Sequence, residues 1–413
     1  MDRLLLKNIF SLFSIQAVNY ILPLLIIPRL VQVLGVDLFG VYILIFTVIQ
    51  YFIILSEYGF NLTATRKLAI NIDNKKFVSK VFSSVILSKL MIAALGFSII
   101  NSYVLLTSTY REHLIYFNLG YLSVFGSVFF PVWLYQAYEK MQWIAVCNFI
   151  SRVSGVVLIY ILVNDKHDFS LAIILQASMP LVASVISLFY CFSTRMVFFA
   201  RVNFQDIAVE IKDGWDIFVS TSFVSLYTTS VPLILGYTSG AASVGIYAAA
   251  DKIRLAVQSI INPVSQALYP RLSRLMLEKQ DEAYGIIRTV FKFFVIPFFV
   301  LSLILMCFSE HIINVLYGDS LPGAVIVLKI LIWIPPVVAI ANMLGIQIML
   351  PKGMTKEFSI TYIVSGVIGF PLLITGAYYF SVIGVSIISV FIEVVVISLF
   401  LMFLKGRSSC SSH

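Results

Sequence analysis

Apolar stretches separated by short polar breaks run along the whole chain. Crossing ~30 Å of hydrocarbon takes about 20 apolar residues in a helix, so each stretch predicts a transmembrane span. Six spans are expected near 9–33, 39–57, 81–105, 114–134, 143–163 and 169–192. Six more are expected near 215–237, 242–268, 289–308, 323–349, 358–379 and 383–404. The expected fold class is all-α and integral to the membrane, with about 12 spans. The breaks themselves are short. Among those on the outer side the longest is 309–322, too short to fold as a catalytic domain outside the membrane. The longest connection on the opposite side, 193–214, mixes Phe198, Phe199, Phe204 and Ile207 with charges and reads as an interfacial amphipathic stretch.

Composition narrows the class further. Hydrophobic residues make up 60% of the 413 and charged ones 12%, with a mean hydropathy of +0.99. One water-soluble core could not hide that much apolar surface. A soluble enzyme, a nucleic-acid reader and a secreted disulfide scaffold are thereby excluded, and the net charge of +8 has to be explained by the membrane rather than by nucleic acid. Cys147, Cys191 and Cys307 sit in apolar runs and Cys410 in the polar tail, without metal-type spacing. His113, His167, His311 and His413 are scattered, and no Cys/His or Ser/His/Asp grouping stands out. No catalytic residue, no metal and no cofactor is expected.

The distribution of bases gives an orientation. With the N-terminus in the cytoplasm, 19 of the 28 Lys and Arg residues fall in cytoplasmic segments, and only Arg111 and Lys166 fall in the opposite loops. That asymmetry is the positive-inside signal, and it places both termini in the cytoplasm. Trp133, Trp143 and Trp215 fall near expected cytoplasmic helix ends, where an aromatic belt forms. The first apolar run has no small-residue cleavage site and is expected to be a retained span.

The chain also echoes itself. Pro23-Leu24-Leu25-Ile26 followed by Gly40-Val41-Tyr42 is matched by Pro232-Leu233-Ile234-Leu235 followed by Gly245-Ile246-Tyr247. The expected organisation is a six-helix bundle over 1–192, a cytoplasmic amphipathic linker over 193–214, a second six-helix bundle over 215–404 and a cytoplasmic tail over 405–413. Both halves start on the same side of the membrane, so the repeat is parallel, an architecture used by transporters. Chance recurrence of Pro, Gly and Leu accounts for so short a match equally well.

Seven bases remain inside the expected spans: Arg29, Lys89, Arg152, Lys252, Arg254, Lys292 and Lys329. Each costs roughly 2.5–3.5 kcal/mol at a lipid-facing helix centre, so most must face water, pair with acids or reach back to the interface. Lys292, at the start of its span, reads as snorkelling. Lys89 and Arg29 are compatible with either reading. Arg152 lies about 14 Å past Trp143 at 1.5 Å per residue, close to mid-membrane. Asp251 and Arg254, three apart on one helix face, are able to pair, while Lys252 points elsewhere. Glu393 is a lone acid near the middle of the last span. The balance favours an anionic guest, and the prolines at 23, 28, 232, 263, 297, 335, 336 and 371 would let helices bend.

Two runs carry a family resemblance. The first is Asn19-Tyr20-x-x-Pro23-Leu24-x-x-x-Pro28-x-Leu30 with Leu34-Gly35-x-x-x-Phe39-Gly40. The second is Gly245-x-Tyr247-x-x-Ala250-Asp251-Lys252-Ile253 with Pro263-x-Ser265-x-Ala267-Leu268-x-Pro270. Tyr58-Gly59-Phe60 with Thr65-Arg66, and Gly345-x-Gln347 with Pro351, add to them. In this order they resemble Wzx-type O-antigen and polysaccharide flippases of the multidrug/oligosaccharidyl-lipid/polysaccharide exporter superfamily. The resemblance implies two six-helix bundles around a central cationic cavity. It also implies movement of an undecaprenyl-diphosphate-linked oligosaccharide between leaflets of the bacterial inner membrane, with coupling to a proton or ion gradient in some members. A polysaccharide polymerase and a chain-length regulator are the protein partners it suggests, beside membrane lipids.

Arg152, Lys252 and Arg254, with Arg29 and Lys329 after them, are the expected substrate-binding residues, and Glu393 and Asp251 the candidates for ion or proton coupling. Two other readings stay open. A membrane polymerase or ligase acting on the same lipid-linked sugars needs a sizeable outer loop, which is lacking. A multidrug exporter of the same superfamily would call for an acidic rather than a basic interior.

Overall fold

The computed structural model describes residues 3–106 and 108–410, and among these no strand occurs. The helices in chain order are α1 (Arg3–Glu57), α2 (Phe60–Ile70), α3 (Lys75–Leu106), α4 (Leu114–Phe129), α5 (Val132–Ala137) and α6 (Met141–Leu162). They continue as α7 (Phe169–Ser193), α8 (Phe204–Thr229), α9 (Val231–Ser239), α10 (Ala241–Gln258), α11 (Ile261–Glu278) and α12 (Gln280–Val290). The last are α13 (Ile296–Cys307), α14 (Ser309–Tyr317), α15 (Gly323–Leu331), α16 (Ile334–Leu344) and α17 (Thr355–Cys410). An all-helical chain follows from the solvent: hydrocarbon offers no partner for a free backbone N–H or C=O, so each span must satisfy its own.

Among the described residues, nine stretches are long and apolar enough to cross a membrane. Two of them are broken inside, α1 at Gly35 (φ 78°, ψ 170°) and α17 at Ser381 (φ 49°, ψ −134°), so each holds two spans in series. The apolar second half of α8 supplies one more, which completes the twelve expected spans.

By contacts the chain divides into two units, Tyr42–Ser225 on one hand and Met1–Val41 with Leu226–His413 on the other. The sequence division at the midpoint linker keeps the first span with its own half, whereas packing gives it to the other. The physical reason is a close approach of backbones. A Cβ on Gly40 would lie 1.8 Å from the Ala241 carbonyl oxygen, and one on Gly245 would lie 2.9 Å from that of Val36. Glycine at both positions lets the segment after Gly35 lie against the start of α10.

Small residues do the same inside the Tyr42–Ser225 unit. Gly126 of α4 admits Pro180 of α7, with 2.6 Å left for a Cβ, and Gly155 of α6 admits Met179. The core there gathers Phe60, Phe82, Trp133 and Tyr135 from α2, α3 and α5. In the second unit, α11, α12 and α16 share a core of Leu272, Ile287 and Met343, while Phe400 of α17 packs near Met349.

Prolines leave carbonyls without their helical donor, and side chains fill in. Pro336 cannot donate to the Ile332 carbonyl, and Ser302 Oγ does so at 2.7 Å. Pro131 cannot donate to the Ser127 carbonyl. α4 stops there, and Lys89 Nζ donates to that oxygen at 2.9 Å.

Candidate functional site

The basic residues of the spans divide between the two units. In the unit built from Met1–Val41 and Leu226–His413, α10 presents Asp251, Lys252 and Arg254. The pairing open to Asp251 and Arg254 is made: Arg254 Nε donates to Asp251 Oδ1 at 2.7 Å, and a second guanidinium nitrogen lies 2.6 Å from the same oxygen. Arg254 Nη1 also donates to Gln258 Oε1, one turn further along. Glu393 of α17 lies within electrostatic reach of Arg254, and Tyr362 lies within reach of Glu393. Tyr247, one turn before Asp251, lies beside Ser389, one turn before Glu393. The result is a polar ladder between α10 and α17 in which one guanidinium is paired with Asp251 and lies within electrostatic reach of a second carboxylate, Glu393. Because Arg254 is already engaged, it can bind an anionic guest only by exchanging or sharing a carboxylate partner.

The other expected residues differ in burial. Lys252 is half-buried on α10, and Arg29 is half-buried on α1. Lys329 is exposed on α15, on the face it shares with exposed Ile326 and opposite to buried Val327 and Leu331. Arg152 belongs to the Tyr42–Ser225 unit. It is half-buried on α6, at the edge between buried Ser151 and Gly155 and exposed Phe149 and Ile150.

Sequence reasoning gave Lys89 no more than an even choice between interface and interior. The structure buries it, with 1% of its surface exposed. Its ammonium holds the Ser127 carbonyl, lies 5.0 Å over the Trp133 ring and stands 4.0 Å from Glu57 Oε1. Glu57 in turn accepts a hydrogen bond from Asn61 across the left-handed turn at Tyr58 (φ 45°) and Gly59 (φ 81°). Snorkelling is therefore not available to Lys89. The signal that could have found it is Pro131, whose missing N–H leaves the Ser127 carbonyl with a long 3.4 Å bond from the Phe130 N–H and room for a stronger donor. Trp133 correspondingly is a core residue with no exposed surface rather than part of an aromatic belt. Trp215 is half-exposed, and Trp143 stacks on Tyr190 at 3.8 Å.

Outside the spans, α8 begins with a set of ion pairs. Lys67 lies 2.8 Å from both Glu210 Oε2 and Asp213 Oδ2, and Lys80 lies 2.8 Å from Asp206 Oδ1. The Lys80 ammonium, with help from the Asn203 N–H, holds the Asp206 carboxyl below its ordinary range. Burial pushes the Glu210 carboxyl up, against the opposing pull of Lys67. Among the described residues no cluster of His, Cys, Asp and Glu could hold a metal ion.

Residues 5–276 match the family described as polysaccharide biosynthesis protein. The chain belongs to this family. A protein of Escherichia coli (strain K12) named "Putative O-antigen transporter" is 34% identical over 401 residues, covering 97% of each chain. A protein of the same name from Shigella dysenteriae is 26% identical over 396 residues, covering 95% of this chain and 98% of its own. The fold is that of solved transporters. Lipid II flippase MurJ in an inward closed conformation superposes with a TM-score of 0.77 at 15% identity, over 96% of this chain and 87% of its own. An outward-facing multidrug resistance MATE family transporter of the MOP superfamily gives 0.63 at 16% identity, over 98% and 96%. Membership in the family and in this fold agrees with the resemblance read from the sequence.

Proposed function

We propose that the chain is a flippase. It moves undecaprenyl-diphosphate-linked O-antigen or polysaccharide repeat units from the cytoplasmic to the periplasmic leaflet of a bacterial inner membrane. In this reading both termini are cytoplasmic and no bond is made or broken. The observation that carries the reading is the near full-length likeness to a protein named for O-antigen transport, in a chain that keeps half-buried bases inside its spans.

A lipid-linked sugar has a diphosphate that must leave water to change leaflets, and the alternative to bare hydrocarbon is a path lined with fixed positive charge. Arg152, Lys252 and Arg254 supply that charge, with Arg29 and Lys329 contributing less directly. Arg254 is the residue whose partners can exchange. The diphosphate competes with Asp251 for the guanidinium and screens its attraction to Glu393, so a bound substrate leaves both carboxylates less stabilised. A less stabilised carboxylate in a dry site gains from taking up a proton, which gives Glu393 and Asp251 a role in gradient coupling. The polyprenyl tail stays in lipid throughout.

Complementation of a flippase-deficient strain tests the residues. Arg152→Ala and Lys252→Ala are each expected to lose most surface polysaccharide at unchanged protein level in the membrane. Normal export by both variants would remove them from the substrate path. For coupling, Glu393→Gln is expected to abolish dependence on the proton gradient, and an unchanged dependence would remove Glu393 from it.

A further inference from the structure

The segment after α7 is not a slack linker. Residues 197–203 have no regular structure, yet their backbone is tied to α3 at two points one helical turn apart. Phe198 N–H donates to Ser79 Oγ at 3.1 Å, and Ala200 N–H donates to Ser83 Oγ at 2.9 Å. Donors two residues apart meeting acceptors four apart on a helix is the geometry of an extended strap laid along a helix face. Val197 turns inward and is buried, and Tyr138 donates from its hydroxyl to the Met196 carbonyl at 3.3 Å. Phe199 packs at a tilt against Phe82 and Phe192, and Asn203, whose N–H donates to Asp206 Oδ2, leads into α8.

What the strap leaves outside is unusual for a surface facing only water. Phe198, Phe199 and Phe204 are 49%, 65% and 73% exposed. Arg195 and Arg201 flank them and are exposed, as are Lys75 and Lys76 at the start of α3. None of these four bases makes an ion pair among the described residues, whereas Lys80 is taken up by Asp206. Asp73 and Glu139 are the exposed acids nearby, so the patch stays basic. Its level is fixed by the fold, because α3 begins and α7 ends here, both in stretches apolar enough to span a membrane. Exposed phenylalanines between bases at the end of two spans match a leaflet boundary, with rings among the upper acyl carbons and guanidinium groups among phosphates.

We propose that this strap is a docking surface for anionic phospholipid headgroups, with Arg195 and Arg201 reading the phosphate and Phe198 and Phe204 inserting beside it. The inference does not depend on the transport reading, since it concerns the resident lipid rather than the cargo. Its consequence is that the join between the two halves of the sequence is pinned to the membrane surface.

Fluorescent phosphatidylglycerol binding to the detergent-purified full chain tests it, with phosphatidylcholine and inorganic phosphate as comparisons. The expected result is at least tenfold tighter binding of phosphatidylglycerol than of phosphatidylcholine, weakened by salt and not displaced by millimolar inorganic phosphate. Arg195→Gln with Arg201→Gln is expected to lower phosphatidylglycerol affinity about tenfold and leave phosphatidylcholine unchanged, while Phe198→Ser with Phe204→Ser lowers both. Unchanged affinity in the arginine pair, or equal affinity for the two lipids, would overturn the proposal. Displacement by inorganic phosphate would also overturn it, showing a free-anion site instead. All these side chains are exposed, so each pair should melt with the wild type. If the arginine pair does not, the salt dependence of the wild type decides, and affinity indifferent to salt counts against the proposal.

Discussion

At the scale of single residues, two buried charges are handled in opposite ways. Arg254 is satisfied locally by Asp251 and Gln258 on its own helix. Lys89 is satisfied only by distant parts of the chain, the Ser127 carbonyl and the Trp133 ring. The first arrangement was legible in the sequence because residues three and four apart share a helix face. The second was not, since nothing local announces that Pro131 leaves the Ser127 oxygen weakly bonded beside Lys89. Glu393 was visible as a lone acid, yet its place within electrostatic reach of Arg254 on α10 became clear only from the packing. Lys89→Met is expected to cost about 1–3 kcal/mol, because it removes the 2.9 Å bond to the Ser127 carbonyl and leaves that oxygen with the long 3.4 Å bond from the Phe130 N–H, read as a lower melting temperature in detergent. Arg152→Ala, at a half-exposed position, is expected to melt like the wild type while losing transport. A destabilised Arg152→Ala with a neutral Lys89→Met would reverse these assignments. Acid sensitivity belongs to this scale too. Asp206 is held below its ordinary range by Lys80, so the stability it adds is present above about pH 3.8 and is lost as pH falls through its lowered folded value. Asp206→Asn should therefore flatten the acid limb of the stability profile, and an unaltered limb would show that Lys80 and Asp206 do not matter to it.

At the scale of elements, hydrophobic patterning located the spans because lipid, not a protein core, takes up most of the apolar surface. What patterning could not see was how spans join. α1 and α17 each run through two spans, broken only at Gly35 and Ser381, where the backbone leaves the helix without a polar loop. It also could not see that the first span packs with the later part of the chain, since this rests on backbones approaching at Gly40 and Gly245. These glycines recur in the sequence echo that suggested two halves, and the structure gives them a packing role. Gly40→Ala should be among the most damaging single changes in the chain, because its Cβ would collide with backbone at Ala241 rather than with a movable side chain. Gly285→Ala is the matched control: a Cβ there meets nothing within 4 Å, and a helical Gly→Ala change gains roughly 0.5–1 kcal/mol. Thermal melts of the two variants decide, and equal stability would mean that α1 and α10 are not held by this approach.

At the scale of the whole molecule, the claim is that an all-helical chain with bases kept inside its spans moves an anionic lipid-linked sugar and does no covalent chemistry on it. The chain shares the fold of solved transporters, and the proposed cargo site is tested by the bases of α10. The most direct measurement uses the purified full chain in proteoliposomes with a fluorescent undecaprenyl-diphosphate oligosaccharide. Outer-leaflet label is followed with an impermeant quencher, with and without a pH gradient. The account predicts protein-dependent movement of intact substrate, reduced at least tenfold by Lys252→Ala and responsive to the gradient unless Glu393 is replaced by Gln. Label that stays in its leaflet while the glycan on the lipid grows longer would contradict it, and would make the chain a polymerase.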